Sequence, residues 1–103
     1  MKIVVTGVAG FIGSTLARTL VNQGFSVVGI DDLSGGRFEN VPLGVDFFKF
    51  DVSSAEFAEW RLSADVIFHF AGQSSGEISF DSPVNDLNRN TLSVLRVSEW
   101  CLI

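Results

Sequence analysis

Three glycines spaced three residues apart, Gly7, Gly10 and Gly13, follow directly on the apolar run "KIVV" in the stretch "TGVAGFIG". No other feature constrains the fold as much. Glycine loses the most backbone entropy on ordering, so three at the first turn of a chain demand a reason. A strand that enters a helix through a glycine turn aims backbone N–H groups and the positive helix end at one point, where phosphate is stabilised. Gly7 would permit the tight turn. Gly10 would let a pyrophosphate reach the backbone, where a Cβ would block it. Gly13 would let the helix lie close to the strand. The spacing is G-x-x-G-x-x-G rather than the commoner G-x-G-x-x-G, and an ordinary tight turn uses the same residues. Context separates the two readings, because the phosphate motif needs a strand before it and a helix after it.

That context is present. "KIVVT" (2–6) reads as a buried parallel strand. From Phe11 to Gln23 the pattern is helical, with Ile12, Leu16 and Leu20 recurring every four residues beside Ala17 and Val21. Gly24 falls where glycine follows a helix C-terminus. "FSVVGI" (25–30) is a second strand, and residues 31–44 form a polar, glycine-rich connection with room for one helical turn. "DFFKF" (46–50) is a third strand. "SSAEFAEWRL" (53–62) is a short helix, with Ser53 and Glu56 at the spacing of a capping box. "DVIFHFA" (65–71) is a fourth strand and "GQSSGEISFD" (72–81) a loop. A last helix begins near Ser82, with Pro83 in its first turn, and runs to the end of the chain. Strands alternating with helices predict a parallel sheet covered on both faces. Right-handed crossovers then give the strand order 3-2-1-4. The expected fold class is α/β, a partial doubly wound (Rossmann) fold filling residues 1–103.

At 103 residues, 47% hydrophobic and 18% charged, the chain is one small domain able to bury a core. Its net charge of −5 comes without a basic patch, which excludes nucleic acid as a partner. The longest apolar runs, such as "VIFHFAG", are too short to span a bilayer. Glycines interrupt the apolar N-terminus where a secretory signal would need continuity. A cytoplasmic protein with no membrane contact is expected. Cys101 is single, as is His69, so neither a disulfide nor a zinc site is expected, and no metal is assigned. A P-loop is excluded because no Gly-Lys-Ser/Thr follows the turn.

The strand ends carry the remaining signals. Asp31 closes the second strand 18 residues after Gly13. A carboxylate there accepts hydrogen bonds from both ribose hydroxyls of an adenosine and repels a 2′-phosphate, which favours NAD over NADP. Arg37 argues for NADP but stands further from the strand end. Asp51 ends the third strand where the side of an adenine would lie, with Val52 over the ring; an aspartate leading into a helix cap is the equal alternative. Ala71 and Gly72, both small, leave room for a flat cofactor at the carboxyl edge of the sheet. His69, within the fourth strand, reads as a core or edge histidine.

Together, "TGVAGFIG", "DDLSGG", "FDV", "IFHFAGQSS" and "NRNTLSVL" resemble the extended short-chain dehydrogenase/reductase family. More narrowly they are similar to its NAD-dependent sugar-nucleotide epimerases and dehydratases, of the UDP-glucose 4-epimerase type. The resemblance runs from residue 6 to residue 95. It implies that Gly7, Gly10, Phe11, Ile12 and Gly13 hold the pyrophosphate of NAD. It implies Asp31, Asp32 and Ser34 at the adenosine ribose, and Asp51 and Val52 at the adenine. Phe70, Ala71, Gly72 and Gln73 would line the nicotinamide-side ribose, and Asn90 would approach the cofactor from the last helix. Ser74 and Ser75 would stand at the mouth of the substrate cleft.

The chain departs from the family in one respect. The implied chemistry uses a tyrosine, a lysine four residues after it and a nearby serine or threonine, beyond a fifth strand. This chain has no tyrosine, and its lysines are Lys2 and Lys49. It is therefore expected to be the cofactor half of such an enzyme, inactive alone, with the sugar nucleotide bound only by a longer form. A stand-alone nucleotide-binding or self-associating module is the alternative. In the last helix, Leu92, Leu95 and Leu102 make one apolar stripe and Val94, Val97 and Cys101 another, with Trp100 between them. A helix apolar on two sides needs two partners. The expectation is a homodimer through helix 84–103, the open edge of the fourth strand, or both.

Overall fold

The computed structural model describes residues 1–71, 84 and 92–101. Four parallel strands form one sheet: β1 (Lys2–Thr6), β2 (Ser26–Asp31), β3 (Val45–Lys49) and β4 (Val66–His69), in the order β3-β2-β1-β4. Three α-helices are described: α1 (Phe11–Asn22), α2 (Ala55–Glu59) and α3 (Ser93–Cys101), with a 3-10 turn at Phe38–Asn40. The predicted class and strand order are both observed. The strands lie within one residue of their predicted starts, and the helical turn in the 31–44 connection is the one at Phe38–Asn40.

Alternation along β1 explains the two-sided core. Ile3 and Val5 face one side of the sheet and pack with Val27, Val8, Ala17 and Leu20 under α1. Val4 faces the other and packs with Val28, Ile30, Val52, Phe57, Val97 and Trp100 under α2 and α3. Successive side chains of a strand point to opposite faces, so a strand covered on both sides must be apolar throughout. Aromatic rings tie the second layer together. Trp60 and Trp100 stack at 5.7 Å, Phe57 stacks on Trp100 at 5.6 Å, and the Trp100 indole N–H donates to the Trp60 carbonyl at 2.6 Å.

Three helix details differ from the sequence reading. The buried residues of α1 are Gly13, Ser14, Ala17 and Leu20, whereas Ile12 is 62% exposed. The start of the helix lies too close to the turn at Gly7 and Val8 for large side chains, so Gly13 and Ser14 take that face and Ile12 points outward, while Leu20 further along reaches the core. The N-cap of α2 is Ser54, not Ser53. Ser54 Oγ accepts from the Phe57 N–H at 3.2 Å, while Ser53 Oγ donates to Asp51 Oδ1 at 2.7 Å. No Ser53–Glu56 capping box forms, and α2 ends at Glu59 rather than at residue 62. On α3 the buried row is Ser93, Val97 and Trp100, with Val94, Leu95 and Cys101 outside. Val97 thus parts from the stripe predicted for it, because the spacing of 93, 97 and 100 follows the helical repeat under the sheet. The start of this helix near Ser82 and Pro83, and Leu102, lie outside the described residues. Among the described residues no helix is long and apolar enough to cross a membrane, and no group of three or more metal-ligating side chains occurs.

Candidate functional site at the carboxyl ends of the strands

Register determines where the loops meet. Thr6 pairs with Ile30 on one side and His69 on the other, so β1 and β4 end level and β2 runs one residue further, to Asp31. Gly7 and Phe70, just past their strands, therefore stand in line with Asp31, the last residue of β2.

Gly7 turns with φ +71, in the left-handed region that side chains disfavour. Its N–H donates to the Ile30 carbonyl at 2.8 Å, and a Cβ on it would stand 2.7 Å from the Phe70 carbonyl carbon. A Cβ on Gly13 would stand 2.2 Å from the Gly7 carbonyl oxygen, so the helix lies close against the turn that leaves β1. Gly10 differs. Its Cβ position meets only the Gly7 carbonyl oxygen, at 3.3 Å, and is otherwise open. Gly10 is the N-cap of α1, no side chain caps that helix, and no acidic residue stands in its first turn. Among the described residues no side chain caps the positive end of this twelve-residue helix. Beside it Phe11 is 86% exposed.

Asp31 braces this turn. Its Oδ2 accepts from the Ala9 N–H at 2.9 Å and its Oδ1 from the Leu33 N–H at 2.8 Å. A carboxylate has about four acceptor positions, so both oxygens retain capacity for a ligand's hydroxyls. Asp32 Oδ1 accepts from the backbone N–H and the hydroxyl of Ser34, closing a local turn. Leu33, between them, has φ +63, a strained conformation for a non-glycine residue. The Ala9 carbonyl is held as well: Asn40 Nδ2 donates to it at 3.1 Å, and Gly36 approaches so closely that a Cβ would lie 2.6 Å from that oxygen.

Asp51 Oδ1 accepts from the N–H and hydroxyl of Ser53, and the Asp51 carbonyl accepts from the Ser54 N–H at 2.9 Å. It leads into the α2 cap, the alternative left open by the sequence. The Val52 side chain is 4% exposed and packs in the core with Phe57. Phe70 is exposed, and its ring stacks with Phe68 at 6.4 Å. The amides of Phe70 and Ala71 both donate to Thr6 Oγ1, at 3.0 and 3.1 Å. Burial holds the His69 imidazole below its ordinary pKa, which keeps the ring neutral. Gly72, Gln73, Ser74, Ser75 and Asn90 lie outside the described residues.

Sequence reasoning missed Thr6, Leu33, Gly36 and Asn40. Thr6 had a signal in the sequence, a hydroxyl residue closing the apolar run "KIVV" just before the glycine turn, and the structure buries it fully. Asn40 had none, since its partner is 31 residues away across a loop.

The profile of the NAD dependent epimerase/dehydratase family matches residues 3–103. A UDP-glucose 4-epimerase of Mycolicibacterium smegmatis is 41% identical over 106 aligned residues, covering 96% of this chain and 34% of its own length. One from Azospirillum brasilense is 36% identical, covering 98% of this chain and 30% of its own length. Among solved structures, the Thermotoga maritima UDP-glucose 4-epimerase with UDP-glucose superposes with a TM-score of 0.93 at 34% identity, over 99% of this chain and 34% of that one. The Thermus thermophilus UDP-glucose 4-epimerase in complex with NAD gives 0.85 at 40% identity, over 98% of this chain and 33% of that one. The chain thus spans about a third of the length of the relatives it matches. A glycine turn opening an uncapped helix, set level with an aspartate at the end of β2, accompanies that match along the whole chain, and the chain belongs to the NAD-dependent epimerase/dehydratase family.

Proposed function

We propose that residues 1–103 are the cofactor-binding portion of an NAD-dependent sugar-nucleotide epimerase or dehydratase. The observation that carries this is the open N-terminus of α1, uncapped and level with Asp31. The residues present fit a dinucleotide. The N-terminal amides and positive end of α1 suit a pyrophosphate, with Gly7, Gly10, Phe11, Ile12 and Gly13 around it. The spare acceptor capacity of Asp31 suits two ribose hydroxyls and disfavours a 2′-phosphate, with Asp32 and Ser34 shaping the loop around that ribose. Asp51 would face the adenine, while Val52 would support it from within the core. Phe70 and Ala71 would border the nicotinamide-side ribose. Gly72, Gln73 and Asn90 join this set on the resemblance alone.

When bound, NAD supplies hydride transfer. This chain's part is to bind and orient. With no tyrosine in it, the proton transfers of the reaction are assigned to residues outside residues 1–103, together with the sugar-nucleotide site. UDP-glucose, bound by the Thermotoga maritima relative, indicates the substrate class. Exposed Val94 and Leu95 on α3, and the outer side of β4, support a homodimer. Sedimentation that finds a monomer at all concentrations would overturn that part.

Calorimetric titration with NADH tests the cofactor assignment. The chain binds NADH, and Gly10→Val, which fills the open cradle, abolishes binding while its circular dichroism is retained. Equal binding by Gly10→Val would remove the pyrophosphate from this turn.

A further inference from the structure

His69 ends β4, and its ring lies between Thr6 of β1 and Ser93 of α3. Hydrogen-bond accounting favours one place for its proton. Thr6 Oγ1 is 3.0 Å from the Phe70 N, 3.1 Å from the Ala71 N and 2.7 Å from His69 Nδ1. A hydroxyl has one proton and two lone pairs, and amides only donate. The two amides take the lone pairs, so the hydroxyl proton is left for Nδ1. Nδ1 is then the bare nitrogen, and the ring proton sits on Nε2, 3.5 Å from Ser93 Oγ. An imidazole with a proton on Nδ1 would force Thr6 to accept a third hydrogen bond or release an amide.

What Thr6 holds matters to the site. The peptide joining Phe70 and Ala71 lies against Gly7, whose absent Cβ would be 2.7 Å from the Phe70 carbonyl carbon and 2.8 Å from the Ala71 nitrogen. The Phe70 N–H has a second acceptor in the Thr6 carbonyl at 3.2 Å, so the Ala71 N–H depends more on the hydroxyl.

We propose that His69 is a positioning residue of the cofactor site. As a neutral Nε2–H imidazole it takes the Thr6 hydroxyl proton, directs both Thr6 lone pairs at the Phe70 and Ala71 amides, and so sets the peptide against which the glycine turn is built. The link from this peptide to cofactor affinity rests on the NAD reading above; the tautomer and the Ala71 hydrogen bond do not.

Two variants separate positioning from packing. Leucine at position 69 keeps apolar volume and loses the acceptor. Asparagine loses volume and keeps an acceptor near the place of Nδ1. In the 15N-labelled chain without cofactor, ring nitrogen correlations at neutral pH show the Nε2–H tautomer, and the Ala71 amide exchanges slowly. Its exchange accelerates in His69→Leu and stays slow in His69→Asn. NADH affinity falls about tenfold in His69→Leu and stays within about twofold in His69→Asn. An Nδ1–H or charged ring in the unaltered chain would overturn the proposal, as would His69→Leu matching it in Ala71 exchange and NADH affinity. Failure of the unaltered chain to bind NADH, with tautomer and Ala71 exchange as described, would count against the NAD reading and leave the His69–Thr6 assignment supported.

Discussion

A methyl group at Gly13 would stand 2.2 Å from the Gly7 carbonyl oxygen, inside any van der Waals contact, and that oxygen belongs to backbone. Gly13→Ala therefore has to push α1 away from β1. Chemical denaturation is expected to show a loss of about 1–3 kcal/mol, the range for overpacking. Asp31 carries a different prediction, because its carboxylate braces Ala9 and is the group proposed to hold the ribose. Asp31→Asn keeps the shape and removes the charge. NADH affinity falls about tenfold, since hydrogen bonds to a charged acceptor are the stronger kind. The preference for NADH over NADPH narrows with it, and parallel titrations read both. The places of these glycines and this aspartate were legible because a strand entering a helix through a tight turn demands glycine at that spacing, and the end of the second strand falls at Asp31. Leu33 and Asn40 were not. A strained leucine and a loop asparagine acquire meaning only once the loop after β2 has closed on Ala9.

Elements were legible by period and by order, and less so by face. The alternation of strands and helices predicted a parallel sheet, and the right-handed crossover rule predicted its strand order; both rest on backbone chirality and need no side-chain detail. Faces depend on what the element packs against. Ile12, Leu16 and Leu20 form a regular row, yet only Leu20 of it is buried, and Gly13, Ser14 and Ala17 take the rest of the inner face, because α1 closes on the turn. A similar limit applies to α2. Two adjacent serines precede it, and only the geometry after Asp51 decides between them. Ser54→Ala should cost about 1 kcal/mol in denaturation experiments, the usual value of a lost N-cap. Ser53→Ala, which removes only a bond to exposed Asp51, should cost less. A reversed ranking would restore the capping box.

For the whole molecule, His69 makes stability depend on pH. Burial lowers its pKa below the ordinary value of 6.5. As pH falls through 6.5 the unfolded chain takes up a proton that the folded chain refuses, so stability decreases until the folded pKa is reached and then levels off. The His69 contribution is thus fully present above 6.5. His69→Asn removes this slope, and urea midpoints measured across the acid range for both proteins check it. The same scale holds the division of labour proposed for the chain. The ends of β1, β2 and β4 are the proposed cofactor cradle, while among the described residues the exposed side of α3 and the outer side of β4 are left for further contacts.

The central claim is that NAD lies across these strand ends, with its pyrophosphate on α1. An NADH titration of the 15N-labelled chain followed by amide chemical shifts tests it most directly. The account predicts the largest changes at Gly10, Phe11, Ile12 and Gly13, a second group at Asp31 to Ser34, and saturation of both groups at one concentration. Saturable changes confined to other residues, or none in a chain with the dispersed spectrum of a folded protein, would contradict it.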